Sequence, residues 1–185
     1  WIVVENANGT ALGFIPKEVD KLGDLPITAE ISEALVVRYT PSGTSADPIQ
    51  ALNARPLGPN SRFRHARMEQ TYLSVSWLSP VKENEKLNEN NFASLSLSRT
   101  ENIANELVGS WESEKGPTSH NMWRVNLDQN DIIWPVWPTQ GHANPELKIM
   151  LCEGSLVCLC VERDSADDYP AGWEEISLRF KSIDL

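Results

Sequence analysis

The strongest constraint on the fold is an alternation of apolar and polar residues with a period of two. It recurs in four segments, residues 27–32, 72–77, 92–98 and 175–183. In the second of these, Leu73 and Val75 alternate with Ser74 and Ser76. Successive side chains of a β-strand point to opposite faces, so each segment predicts a strand with one buried and one solvated face. The chain is therefore expected to be all-β.

Other segments depart from this alternation. Residues 156–162 are apolar on both faces, which predicts a central strand covered on both sides. Asp47-Pro48 and Thr100-Glu101 have the chemistry of helix N-termini, and the apolar residues after each predict two short helices, the second ending at Gly109. Turn clusters of Gly, Pro, Asn and Asp separate the segments. Together these elements predict a sandwich or a closed sheet with two short helices.

The chain length of 185 residues predicts a single domain over residues 1–185. Residues 1–24 are interpreted as an N-terminal arm or an edge strand. The longest apolar run, Leu156–Val161, has six residues, whereas a membrane span needs about 20, so no transmembrane helix is expected. Because the sequence starts at Trp1 without a Met or a signal pattern, we expect a processed or trimmed product.

The formal charge of −10 is unevenly distributed. Residues 1–100 carry a net charge of −1 and residues 101–185 carry −9, so the second half should repel nucleic acid or an anionic membrane. Four arginines within thirteen residues form the main basic cluster, which predicts contact with RNA phosphates or with a neighbouring subunit, or salt bridges to the acidic majority. They are Arg55, Arg62, Arg64 and Arg67.

No motif in the sequence predicts catalysis. Hydrolase, zinc-protease and nucleotide-binding signatures are absent, and the adjacent pair Ser119-His120 has poor geometry for a nucleophile and its base. Cys158 and Cys160 lie on one strand face but provide only half of a zinc site. The odd number of cysteines, with Cys152 as the third, predicts reduced, buried thiols. We expect no catalytic residue, metal or cofactor.

Seven tryptophans are many for a chain of this length, and they raise the alternative of a carbohydrate-binding module. Sugar platforms need coplanar exposed rings, and the three-residue spacing of Trp134 and Trp137 does not align them on one strand face. Roles in the core or in subunit contacts are therefore preferred. An enzyme on a β-scaffold is a further alternative, which would require a metal or paired carboxylates in a pocket.

The order of the elements resembles the jelly roll of picornavirus-like coat proteins. In that fold one helix precedes the fourth strand and another lies between the fifth and sixth. Asn126-Leu127-Asp128 followed by Ile132-Ile133-Trp134-Pro135 is similar to a strand, turn and apolar-proline passage of the family, and residues 156–161 and 175–180 resemble its last two strands. Plant secovirus small coat proteins are the most similar in size and ending. Unlike many coat proteins, the chain has no basic N-terminal arm.

The resemblance implies an eight-stranded antiparallel jelly-roll sandwich that serves as a subunit of an icosahedral RNA-virus capsid. Its partners would be other coat protein subunits, with few RNA contacts, and it would be found in the virion after assembly in the host cytoplasm. Residues 164–172 would form an exposed loop at a symmetry axis. The loop residues singled out are Asp164, Asp167, Asp168 and Tyr169.

Overall fold

The computed structural model describes residues 1–20, 24–42, 46–54, 71–77, 92–99, 108–109, 117–119, 122–126, 131–136, 146–165 and 168–182. These residues form an all-β fold with antiparallel pairing and one short 3-10 helix, Ile31–Glu33. The strands within the described ranges are β1 (Ile2–Asn6), β2 (Ala11–Phe14), β3 (Val37–Tyr39), β4 (Ile49–Ala51), β5 (Thr71–Trp77), β6 (Ala93–Arg99), β7 (Val108–Gly109), β8 (Pro117–Ser119), β9 (Trp123–Asn126), β10 (Ile132–Pro135), β11 (Leu147–Cys152), β12 (Leu156–Val161) and β13 (Glu174–Phe180).

The last strand, β13, organises the sheet because it pairs with three other strands. Hydrogen-bonded neighbours follow the order β2-β1-β13-β11-β12-β6-β5-β4-β3, while β10 pairs with β13 and β9 on a branch from this path. The short strands β7 and β8 extend the edge of β5. An isolated bridge between Asp47 and Trp123 then links the segment before β4 to the start of β9. Residues 1–24 contribute β1, paired on both sides, and β2, at the end of the path.

The strand register separates an inner face from an outer face. On β11 and β12, Ile149 pairs with Leu159 on the inner face and Met150 pairs with Cys158 on the outer face. The same alternation continues in the neighbouring strands, so the inner-face side chains of β1, β3–β6 and β9–β13 are mainly apolar. The outer face instead carries polar, charged and sulfur-containing side chains and the indole of Trp134; the former include Arg38, Gln50, Ser74, Ser96, Ser94, Cys160, Lys148, Glu175 and Arg179.

The inner-face side chains from distant parts of the path meet in one core. Ile49 of β4, Ile133 of β10 and Ile2 of β1 belong to the same buried cluster. The ring of Tyr39 on β3 lies 5.9 Å from the ring of Phe180 on β13, measured between centroids. The sheet therefore folds over its inner face, an arrangement consistent with a β-sandwich. Burial of each large aliphatic side chain contributes about 1.5–3 kcal/mol to the stability of that core.

Three of the four alternating segments predicted as strands are confirmed by β5, β6 and β13. The fourth prediction, a strand over residues 27–32, is wrong. Thr28 makes only an isolated bridge with Phe14, and the chain then turns into the 3-10 helix. The Thr28 hydroxyl accepts a hydrogen bond from the Glu30 amide at 3.2 Å, a local turn interaction that competes with strand pairing.

The helix predicted after Asp47 is also wrong, because residues 49–51 form β4 between β3 and β5. The Asp47 carboxylate accepts hydrogen bonds from Tyr39 and Ser42, which precede it, and no helical amide follows to be capped. Of the second predicted helix, residues 100–107 lie outside the described residues. Its expected end, Val108–Gly109, is strand β7. The expected count of eight strands is exceeded in the described part of the chain, which has thirteen.

The outer face of β5 and β6 is buried, although the alternation predicted that it would be solvated. Ser74 and Ser94 are fully buried and Ser96 nearly so. Ser74 lies opposite Ser96, and Ser94 lies opposite Cys158 of β12. Small hydroxyl side chains fit under a covering layer, so alternation indicates that the two faces differ but not that one of them meets water. The prediction that Leu156–Val161 is covered on both faces is confirmed, since its four central residues are buried.

Candidate functional site

A groove of about 290 Å³ opens where β10 and β11 separate along one edge of β13. β13 pairs with β11 through residues 174–175 and with β10 through residues 178–179, which leaves residues 176–177 between the two pairings. The register between β11 and β13 stops at Met150, so residues 147–149 of β11 also border the groove. The groove is thus built by the divergence of two strands from a shared neighbour.

Trp134 forms one wall of this groove. It lies on the outer face of β10, opposite Arg124 of β9, and 48% of its surface is exposed. Its neighbour Ile133 points inward into the core and is almost completely buried. The sequence predicted that the tryptophans would serve in the core or in subunit contacts. Trp123 does lie in the core, whereas the indole of Trp134 is presented to solvent beside a concavity.

Lys148 and two glutamates form a charge cluster at the other wall. Lys148 Nζ lies 3.0 Å from Glu175 Oε1 and 3.2 Å from Glu162 Oε1. The hydrogen bond with Glu175 raises the pKa of Lys148, and the hydrogen bond with Lys148 lowers the pKa of Glu162. Glu146 also lines the groove. Two carboxylates and one ammonium therefore line the groove, a net charge of −1.

Sequence reasoning did not single out this cluster. Glu175 belongs to an alternating segment that predicts a strand, but nothing in the sequence places it beside Lys148. The contact depends on β11 meeting both β12 and β13 in one register, which places Lys148 between Glu162 and Glu175. Alternation in the printed sequence identifies the faces of each strand but not which strands become neighbours.

The second buried cluster lies on the outer face and consists of four sulfur-containing residues. Met150, Cys152, Cys158 and Cys160 are packed beneath aromatic side chains that include Trp173 and Tyr169. All three cysteines are free and buried, as the sequence predicted. A hydrogen bond with Cys152, together with burial, raises the pKa of the Cys158 thiol, and burial raises that of Cys160 to about 11. Cys158 and Cys160 are thus buried thiols with raised pKa values, unlike reactive cysteines, whose pKa values are lowered.

We expect the three thiols to resist Ellman's reagent in the native protein at mildly alkaline pH and to react fully after unfolding in guanidinium chloride. Burial denies access, and the raised pKa of Cys160 keeps the thiolate fraction small. Because a raised folded-state pKa favours the neutral thiol, its contribution to stability should be lost as the pH rises from about 9 towards 11. The Cys160→Ala variant, which lacks this thiol, is the matched control and should not show the loss of stability between these pH values. Rapid native labelling of any thiol would contradict the described packing.

The loop predicted to be exposed at a symmetry axis follows β12. Asp164 and Asp168 are exposed, Tyr169 is half-buried, and Asp167 lies outside the described residues. The Tyr169 hydroxyl accepts a hydrogen bond from the Arg163 amide at 3.0 Å, and the Arg163 guanidinium lies 5.3 Å from the Tyr169 ring centroid. The carboxylate of Asp168 accepts a hydrogen bond from the Ser165 amide at 3.0 Å. These contacts order the loop locally, with Tyr169 as its anchor.

The remaining predictions concern the basic cluster, metal binding and membrane spans. All four arginines of the basic cluster, Arg55, Arg62, Arg64 and Arg67, lie outside the described residues. Within the described ranges, no three His, Cys, Asp or Glu side chains converge in a way that would hold a metal ion. No helix found there has both the length and the apolar character of a membrane span.

No protein family matches the chain, and neither a curated protein nor a solved structure shows significant similarity to it.

Proposed function

We propose that the chain is a structural subunit of an icosahedral virus capsid, built as a jelly-roll sandwich. The observation that carries this proposal is the antiparallel pairing of the last strand, β13, with the first, β1, in an all-antiparallel fold over one core. Greek-key folds, of which the jelly roll is a double example, place a returning strand beside the first one. The strands β10, β12 and β13 coincide with three of the segments that carry the sequence resemblance, and β9 ends at Asn126, where the fourth begins.

Assembly would proceed through contacts between sandwich subunits, with the chain as a partner of other coat protein copies. The described residues expose three large apolar side chains that such contacts would bury, Ile31, Leu52 and Trp134. The net charge of −10 opposes association of like subunits, so the contacts between them should bring together patches of opposite charge. Contacts with genomic RNA would be few and would fall to the arginines of residues 55–67.

The proposal is tested by sedimentation velocity and negative-stain microscopy of the purified chain over a range of protein and salt concentrations. We expect the 20.7 kDa subunit to associate as its concentration rises, and to form closed spherical shells at high concentration or with RNA. Poly-glutamate in place of RNA is the control for a general polyanion effect. A monomer at every concentration and salt level, with and without RNA, would contradict a capsid function.

The exposed Trp134 beside the groove favours one alternative, a carbohydrate-binding module. An indole face can stack on a sugar ring, and Glu175 and Lys148 could hydrogen-bond its hydroxyls. A glycan array probed with the chain and with its Trp134→Ala variant separates the two functions. Glycan binding by a monomer that is lost on Trp134→Ala would support the module, and its absence would leave the capsid proposal as the one favoured.

A further inference from the structure

The groove between β10 and β11 combines an exposed aromatic face with an excess of negative charge. Trp134 lines one side, and Glu146, Lys148 and Glu175 line the other. Lys148 is already engaged by Glu175 and by Glu162 at 3.0 and 3.2 Å, so its charge is balanced from within the protein. A ligand entering the groove therefore meets an exposed indole and two carboxylates for one ammonium.

These two features favour a cationic side chain as the occupant. An arginine or lysine over a tryptophan face is attracted by the ring electrons, most strongly when the site excludes water. Arginine suits the groove better than lysine, since its planar guanidinium stacks on an indole and bonds carboxylates at its edge. The volume of about 290 Å³ suits one large side chain with its flanking backbone.

The walls of the groove also present strand edges. The pairing of β11 with β13 ends at Met150, and the pairing of β10 with β13 ends at Ile133. Beyond these points, residues 147–149 and 134–136 line the groove without a strand partner on that side among the described residues. Open edges of this kind accept an extended peptide through main-chain hydrogen bonds, and neighbouring pockets select its side chains.

We propose that this groove is a subunit-docking site that takes an extended, arginine-bearing segment of a second copy of the chain. Charge complementarity indicates which part of the second copy enters the groove. The half of the chain that forms the groove carries −9, so two such halves repel each other, whereas the arginine cluster in the other half is complementary. The contact is heterologous, with different surfaces meeting on the two copies, which is the type that generates rings and shells. This inference rests on the proposed function, because the docked segment belongs to another subunit of the same assembly.

The test uses the full chain and a fluorescein-labelled synthetic peptide of residues 60–68, which contains three arginines. Fluorescence anisotropy should show binding at low ionic strength that weakens with salt. Trp134→Ala and the double variant Glu146→Gln with Glu175→Gln should each reduce the affinity about tenfold or more. A peptide with its arginines replaced by glutamine should not bind.

Matched controls separate docking from general attraction between a basic peptide and an acidic protein. Leu52→Ala removes another exposed apolar side chain, and Glu30→Gln removes an exposed carboxylate far along the chain from the groove. Neither should change the affinity.

Equal losses of affinity in these controls, or no peptide binding at low ionic strength, would overturn the proposal. Binding of an oligosaccharide that depends on Trp134, without peptide binding, would also overturn it. Peptide docking by a chain that never forms shells would refute the capsid function while leaving the docking site standing.

Discussion

Replacing Trp123 by Ala should lower the free energy of unfolding by about 3–5 kcal/mol, the usual cost of deleting a buried tryptophan. Trp123 is fully buried at the start of β9, and its indole Nε1 donates a hydrogen bond to the Leu73 carbonyl oxygen at 2.9 Å. Because a domain is stable by only about 5–15 kcal/mol, this single change removes a large fraction of the total. Urea denaturation followed by far-ultraviolet circular dichroism measures the loss.

Two further variants separate packing from hydrogen bonding at this position. Trp123→Phe keeps most of the apolar volume but leaves the Leu73 carbonyl without its donor, and should cost about 1–3 kcal/mol. Trp134→Ala is the matched control, because that ring is 48% exposed on the neighbouring strand, and should change stability by about 0.5 kcal/mol or less. Equal destabilisation by the alanine variants at 123 and 134 would show that the two rings are not buried differently.

Replacing Asp47 by Ala should cost about 2–3 kcal/mol, because hydrogen bonds to a charged acceptor contribute more than neutral ones. The buried Asp47 carboxylate accepts hydrogen bonds from the Tyr39 hydroxyl at 3.1 Å and from the Ser42 amide at 3.3 Å. Burial, followed by the hydrogen bond and charge of Asp47, raises the pKa of Tyr39. In the variant, the phenol should therefore titrate at lower pH, which absorbance at alkaline pH detects together with the lowered urea midpoint.

Asp47→Asn provides the control for charge, since it retains one acceptor oxygen, and should lose less stability than Asp47→Ala. Asp164→Ala removes an exposed carboxylate and should have almost no effect. The backbones of Asp47 and Trp123 are hydrogen-bonded to each other: the Asp47 amide nitrogen lies 2.8 Å from the Trp123 carbonyl oxygen, to which it donates. The effects of Asp47→Ala and Trp123→Ala should therefore not add, and an additive double variant would contradict coupling at this bridge.

Alternation predicted β5, β6 and β13 because each of these strands has one face on the main core. It could not separate a short strand from a helix at residues 47–52, where N-cap chemistry and proline fit both outcomes. Asp47 is instead fixed by Tyr39 and by its bridge to Trp123, contacts that only the folded chain provides. At this position tertiary strand pairing outweighs the local sequence chemistry, which often happens in short elements.

The candidate site was less predictable than the fold. Trp134 was singled out as a tryptophan, but nothing in the sequence indicates that β10 and β11 diverge along β13. The groove and the ion pairs of Lys148 depend on strand order and register, which arise from contacts between residues far apart in the chain. The sulfur cluster was partly predicted, since the alternation of Cys158 and Cys160 places them on one face, whereas Cys152 joins them only through the pairing of β11 with β12.

The pairing of β1 with β13 also determines when the molecule can form. Arg179 donates to Glu5 at 3.0 Å across 174 positions, and the opposite edge of β13 pairs with β10 and β11. Closing so long a loop costs entropy before any contact offsets it, which places this topology among slow folders. A nascent chain lacking β13 would leave the edges of β1, β10 and β11 without their shared partner. The sheet formed by the described residues can therefore be completed only after β13 has been synthesised.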